Sequence, residues 1–190
     1  MTYCEVMMTQ DKNKIDSTYL DNCIKDIANG QLDGLEKLYI STSHAVFGYA
    51  LSILNNYDEA QDVVQDCYLH IHKSSPGYKS NGKPLAWIMK ITRNLCLERI
   101  RKGSFIAPNE LEDWMAIDKQ EGLSPAEKIT LRECLQTLTK EEREIVMLHA
   151  TSGFKHREIA DITGKSLAFV LSKYNRAIKK LKAAMKIGGF

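Results

Sequence analysis

Three groups of side chains have types and spacings that could do chemistry, and each suits binding rather than bond-making. The first is acidic: Glu59, Asp62, Gln65 and Asp66 recur at the three- and four-residue steps that share one face of a helix. The second is basic: Lys90, Arg93, Asn94 and Arg101 fall within one helical stripe, entered from a loop that carries Lys79 and Lys83. Such a stripe suits a phosphate backbone, and the amide among the cations adds a group able to read more than charge. The third is the stretch from His156 to Met185, where two helical apolar patterns meet at Gly164. Its second helix, opened by Ser166, runs on through Arg176, Lys179, Lys180 and Lys182. Ala160, Gly164 and Val170 occupy the small, turn and anchoring positions of a helix-turn-helix, so DNA is the first hypothesis for this stretch. A helical hairpin in a plain bundle would show the same three residues. Taken alone, each of the two charged faces upstream reads first as a solvated surface, the acids being favoured near a helix N-terminus by its dipole.

Reaction chemistry has little support. No paired carboxylates, Ser/His/Asp set or Gly-rich phosphate loop appears, so no enzyme, no catalytic residue and no cofactor are expected. His44, His70, His72, His149 and His156 form no ligand set, and Cys4, Cys23, Cys67, Cys96 and Cys134 are scattered singly, mostly at apolar helix positions, so no metal is expected. The net charge of +2 is small, but it is unevenly placed. Residues 139–186 hold eleven Lys or Arg against five acids, whereas residues 103–125 hold five acids against one lysine. No apolar run approaches the roughly 20 residues that span a bilayer, and the start lacks a basic region followed by an apolar one. A cytoplasmic protein with no membrane insertion is the expectation.

The elements that must position these groups are all helical. Residues 1–15 read as a loose tail. Ser17 can cap a first helix that ends at Gly30, and a longer one runs from Asp33 to Asn55-Asn56 with Leu35, Leu38, Tyr39, Val46, Tyr49, Ala50, Ile53 and Leu54 inside. Asp58, with Gln61 as capping-box partner, opens a third helix whose buried stripe is Ala60, Val63, Val64, Cys67 and Ile71. Residues 74–84 are a loop by composition, and Pro84 starts a fourth helix that reaches about Arg101 with Ile88, Ile91, Thr92 and Leu95 inward. Trp87 and Tyr78 could stack on bases, though aromatics beside an apolar stripe are more often core. Residues 103–125 lose helical period and read as an acidic linker. Beyond it come a helix from Ala126 to Leu138, a capping box of Thr139 with Glu142, and the helix-turn-helix. The fold class is therefore all-α: two small helical domains, residues 16–102 and 126–186, joined by a linker, the second containing the helix-turn-helix.

Taken together, these pieces resemble a bacterial RNA polymerase sigma factor of the sigma-70 family, extracytoplasmic-function type. DEAQDVVQDCYLHIHK (58–73) is similar to that family's D-A-E-D-x-V-Q-E motif, and PLAWIMKITRNLCLERIRK (84–102) to its A-W-L-x-x-I-A-R-N-x-x-x-D-x-x-R helix. LQTLTKEEREIVMLHATSGFKHREIADITG (135–164) resembles the L-x-x-L-P-x-x-x-R-E-V-x-x-L segment that leads into the helix-turn-helix, and SKYNRAIKKLK (172–182) the S-R-x-x-R-A-x-x-x-L ending. These matches keep the family's order and spacing, which outweighs the solvated-surface reading of either face. The resemblance implies that Asp62, Gln65 and Asp66, with Glu59 at the rim, dock on core RNA polymerase. It implies that Asn94, with Lys79, Lys90, Arg93 and Arg101, recognises and opens the minus ten promoter element, and that the second domain reads the minus thirty-five element. An anti-sigma partner is implied as well.

The recognition helix departs from the family pattern S-x-G-T-V-K-S-R, because Phe169 and Leu171 replace the Thr and Lys. Lys155 stands where a Ser cap is common, and Lys165 where an apolar residue comes after the turn. Ser166, Phe169, Ser172, Lys173, Asn175, Arg176 and Lys179 are the residues expected to reach DNA, Phe169 through a thymine methyl. The altered helix motivates an alternative: a DNA-binding regulator or helical interaction module that has lost polymerase-dependent initiation.

Overall fold

The computed structural model describes residues 16–103 and 134–187, and among them there is no strand. The expected tail, nearly all of the linker and most of the helix expected from Ala126 lie outside the described residues. The helices are α1 (Ser17–Ala28), α2 (Leu32–Leu54), α3 (Tyr57–Ser74), α4 (Pro84–Lys102), α5 (Lys140–Ser152), α6 (His156–Thr163) and α7 (Leu167–Ile187), with a short 3₁₀ turn at Ser75–Gly77. Residues 134–136 are also helical.

Two helix starts differ from expectation, both by a cap placed earlier in the chain. Asp16, not Ser17, caps α1 by accepting from the Thr18 amide at 2.9 Å. Asn56, not Asp58, caps α3 by accepting from the Glu59 amide at 2.9 Å, while Gln61 donates to the Tyr57 hydroxyl instead of closing a capping box. Asp58 is left in the first turn, where the helix dipole favours it. The neighbouring Asn55 ends α2 in the left-handed conformation (φ 54°), which asparagine tolerates better than most residues. The Asn55-Asn56 pair thus stops one helix and starts the next. The Thr139–Glu142 box forms as expected, Glu142 accepting from the Thr139 amide at 2.9 Å and donating its own amide to the Thr139 hydroxyl at 3.3 Å.

The core is built on α2, against which α1, α3, α4 and α5 all pack. Leu38, Val46, Tyr49, Ala50, Leu51 and Leu54 are buried there. Tyr39, expected inside, is 48% exposed and leans on the ring of Tyr68 at 4.9 Å; Tyr68 takes the interior position, its hydroxyl 2.7 Å from that of Thr42. The helices before and after the linker are in direct contact: Ile145, Leu148, Ile159 and Val170 belong to the same buried cluster as Tyr49, Ile88 and Met89. Cys23, Cys67, Cys96 and Cys134 are buried, as small apolar residues would be, and burial pushes the Cys67 thiol up to about 11.

Gly34 is where α1 and α2 touch, and its reason lies in the packing. A Cβ there would fall 2.7 Å from the Cys23 carbonyl oxygen and 2.8 Å from the Asp26 Cβ. Gly34→Ala should therefore destabilise the chain by about 1–3 kcal/mol in urea unfolding. Gly77→Ala, where nothing lies within 4 Å, should stay within about 0.5 kcal/mol of the parent.

Candidate polymerase and nucleic-acid interfaces

The acidic face of α3 forms because Ala60, Val63, Val64, Cys67 and Ile71 are all drawn inward, which leaves Asp62 and Gln65 exposed and Glu59 and Asp66 half-buried. A residue outside the sequence-predicted sets organises this face. Arg99, in the last turns of α4, reaches Glu59 Oε2 at 2.6 Å and Asp62 Oδ2 at 3.3 Å through Nη1, and Asp66 Oδ2 at 2.7 Å through Nη2. Burial works against its charge, but the bonds to Glu59, Asp66 and Asp62 outweigh it and hold the guanidinium protonated. The signal for it lies in the register. At 100° per residue Arg99 lies opposite Lys90, Asn94 and Arg101, continuing the inward face of Ile88 and Thr92, so it must face a neighbouring helix.

On the basic side, Lys79 is exposed in the loop before α4, and Lys90, Asn94 and Arg101 are exposed along α4. Arg93 is not with them. It turns under α5, where its Nε donates to Glu144 Oε1 at 2.7 Å, and the same oxygen accepts from the Tyr49 hydroxyl at 2.8 Å. Burial, and then the Glu144 carboxylate, hold the Tyr49 phenol well above its usual range. Tyr78 and Trp87 pack against each other at a 49° tilt with centroids 4.6 Å apart, and the Tyr78 hydroxyl and Ser80 Oγ both donate to Asp21, at 2.6 and 2.7 Å. The aromatic pair thus pins the loop to α1.

The helix-turn-helix is α6, the turn and α7. Ala160 and Val170 are buried and Gly164 takes φ 67°. Ser166 caps α7 by accepting from the Phe169 amide at 3.2 Å. Ser172, Asn175, Arg176 and Lys179 face solvent, whereas Lys173 is half-buried beside Glu141 at 3.5 Å. Phe169 and the unusual Lys165 belong to one arrangement. The half-buried ring packs on the core, and the ammonium groups of Lys165 and Lys173 sit 5.5 and 5.4 Å from its centroid, contacts of about 0.5–1 kcal/mol each at such sites. Lys155 supplies no side-chain cap to α6; Glu158 instead accepts from the Lys155 amide at 3.0 Å.

Behind this face His149, His156 and Tyr174 form an aromatic cluster with centroids 4.6–5.1 Å apart. His149 Nδ1 lies 2.9 Å from the Phe154 carbonyl oxygen, while His156 Nε2 is buried with no hydrogen-bond partner. Among the described residues no group of His, Cys, Asp and Glu could hold a metal ion.

An acidic helix face, a basic helix with an exposed Asn and a basic helix-turn-helix, all in one helical chain, are features suited to a DNA-binding factor. The sigma-70 region 2 model matches residues 38–105 and the sigma-70 region 4 model residues 128–181, together more than half of the chain. The chain belongs to the sigma-70 family and is of the extracytoplasmic-function type. It is 23% identical over 179 residues to the extracytoplasmic-function RNA polymerase sigma factor SigK of Mycolicibacterium vanbaalenii, covering 88% of this chain and 90% of that one. It is 28% identical over 163 residues to EcfG of Rhodopseudomonas palustris, covering 83% and 88%. The same fold occurs in CnrH, solved with the cytosolic domain of CnrY (TM-score 0.67, 21% identity, 89% of this chain and 98% of that one). It occurs also in RpoE of Bartonella quintana, solved with the anti-sigma factor NepR (TM-score 0.65, 23% identity, 80% and 96%).

The half-buried His156 should make the second half sensitive to acid. Burial, with His149 alongside, lowers the His156 pKa below its ordinary 6.5, so the unfolded chain takes up this proton first. The stability concerned is complete above the ordinary histidine range and is lost as pH falls through the folded-state value. His156→Phe should flatten the fall in melting temperature between about pH 7.5 and 5 relative to the parent, as read by circular dichroism.

Proposed function

We propose that this protein is a transcription initiation factor that brings core RNA polymerase to specific promoters and opens them, the polymerase performing all the bond-making. The observation that carries the reading is the order of parts: the two sigma-70 region matches fall, in sequence, on the acidic face of α3 with α4 and on the helix-turn-helix. Residues 16–102 then form the core-binding and minus ten domain, residues 103–125 the linker and residues 126–186 the minus thirty-five domain. Glu59, Asp62, Gln65 and Asp66 meet the polymerase. Lys79, Lys90, Asn94 and Arg101 are exposed and suited to the minus ten strand, where base extrusion needs a hydrogen-bonding residue such as Asn94 and phosphate contacts to offset unstacking. Ser172, Asn175, Arg176 and Lys179 are the exposed donors of α7 for the minus thirty-five groove.

Arg93 can join the minus ten set only when α5 moves off it, because Glu144 holds its Nε. Parting of the two halves would therefore add Arg93 to the exposed minus ten residues. CnrH and RpoE were each solved with a protein partner, and we infer a partner of the anti-sigma class here, one that favours the packed arrangement. No described helix is long and apolar enough to cross a membrane, and the site of action is the cytoplasm, where promoter and polymerase are.

The double variant Asp62→Ala, Asp66→Ala should lose core polymerase binding by at least about tenfold while keeping the helix-turn-helix folded; an unchanged affinity would favour a DNA-binding regulator without initiation activity. Glu144→Ala removes a partly buried partner of Arg93 and Tyr49, and should loosen α5 from α2 by about 1–3 kcal/mol, seen as faster amide exchange along α5.

A further inference from the structure

Glu59, Asp62 and Asp66 repeat at three- and four-residue steps of α3, a spacing at which like charges repel. The nearest cation on their own helix, Lys73, lies seven residues beyond Asp66. Arg99 comes from α4 instead and binds one oxygen of each carboxylate: Glu59 Oε2 at 2.6 Å, Asp62 Oδ2 at 3.3 Å and Asp66 Oδ2 at 2.7 Å. Its side chain is 23% exposed, against 61% for Asp62 and 45% for Asp66, so the guanidinium sits behind the two acids rather than in front of them. The second oxygen of each carboxylate is outside this network. A concavity lined by Asp66, Leu95, Glu98, Arg99 and Lys102 opens beside it.

We propose that Arg99, anchored on the half-buried Glu59, is a positioning residue of the polymerase-docking face, fixing the rotamers of Asp62 and Asp66 so that each presents its second oxygen to a cationic surface of the polymerase. This rests on the docking role proposed for α3. Arg99 acts on binding in two opposed ways. Its charge weakens the negative field of the face, a long-range effect that salt screens within about 8–10 Å. Its hydrogen bonds order side chains that would otherwise have to be ordered on binding, each costing roughly two- to tenfold in affinity. At contact distance and physiological salt the ordering effect is the larger one. Lysine could not replace the planar fork, because its single ammonium group lacks the two-nitrogen geometry that spans Glu59 and Asp66.

The test is the dissociation constant of the full chain for core RNA polymerase, with Arg99→Met, Arg99→Lys and Asp66→Asn, at physiological and at low salt. Arg99→Met makes the face more negative, yet it should bind about tenfold more weakly at physiological salt, Arg99→Lys should recover only part of the loss, and affinity for free minus thirty-five DNA should not move. Arg99→Lys combined with Asp66→Asn should lose less than the two single losses together, which keeps the test open if Arg99→Met folds poorly. Unchanged or tighter binding by folded Arg99→Met, or additive losses in the combined variant, would overturn the proposal. Failure of the parent chain to bind core polymerase would instead contradict the docking role of α3 itself.

Discussion

The burial of α2 is the constraint on which the rest of the structure depends. A helix packed by α1, α3, α4 and α5 cannot be amphipathic in the ordinary sense along its second half, where from Val46 on the buried residues run almost around its circumference. Polar groups that enter this interior must be satisfied there, as Thr42 is by Tyr68 and by the Leu38 carbonyl, and Tyr49 by Glu144. Because α5 is one of the four neighbours, the helix-turn-helix is carried on the same core as α4. The relation between the basic stripe of α4 and the helix-turn-helix is thus decided by how α2 is covered.

Electrostatics then sorts the charged residues of α4 by the direction in which each leaves the helix. Lys90, Asn94 and Arg101 leave toward solvent, Arg93 toward Glu144 of α5, and Arg99 toward the acids of α3. One helix therefore supplies a solvent-facing basic stripe, a tie to the second half and a brace for the acidic face of α3. The two half-buried ion pairs are not interchangeable with surface pairs, since removing one partner leaves the other poorly solvated. On α7 the pattern is similar in kind. Phe169 and its two lysines close over the core, while Arg176 and Lys179 stay exposed.

Much of this is legible in the sequence, and the gaps have physical causes. Periodicity locates the helices because each buries a regular stripe, and Gly30, Gly103, Gly153 and Gly164 end them through the positive φ that glycine adopts freely. The true caps, Asp16 and Asn56, lie one or two residues before the expected ones, because several neighbouring polar residues could each serve and only the backbone decides among them. Arg93 shares a wheel position with the DNA-facing stripe, and a helical wheel does not show a second domain lying over one edge of it. Tyr39 stays outside for the same kind of reason, since Tyr68 from α3 fills the interior beside it, and Gly34 carries no turn signal because its requirement is the approach of another helix. Lys165 and Phe169 look like independent departures in the sequence; in the fold their ammonium group and ring are in contact.

That this chain turns core RNA polymerase into a promoter-specific enzyme is tested most directly by run-off transcription from a genomic promoter library with core polymerase, with and without the full chain. Discrete transcripts should appear only with the chain and share upstream elements at minus ten and minus thirty-five. A chain that binds such DNA yet yields no transcript above core polymerase alone would contradict that role.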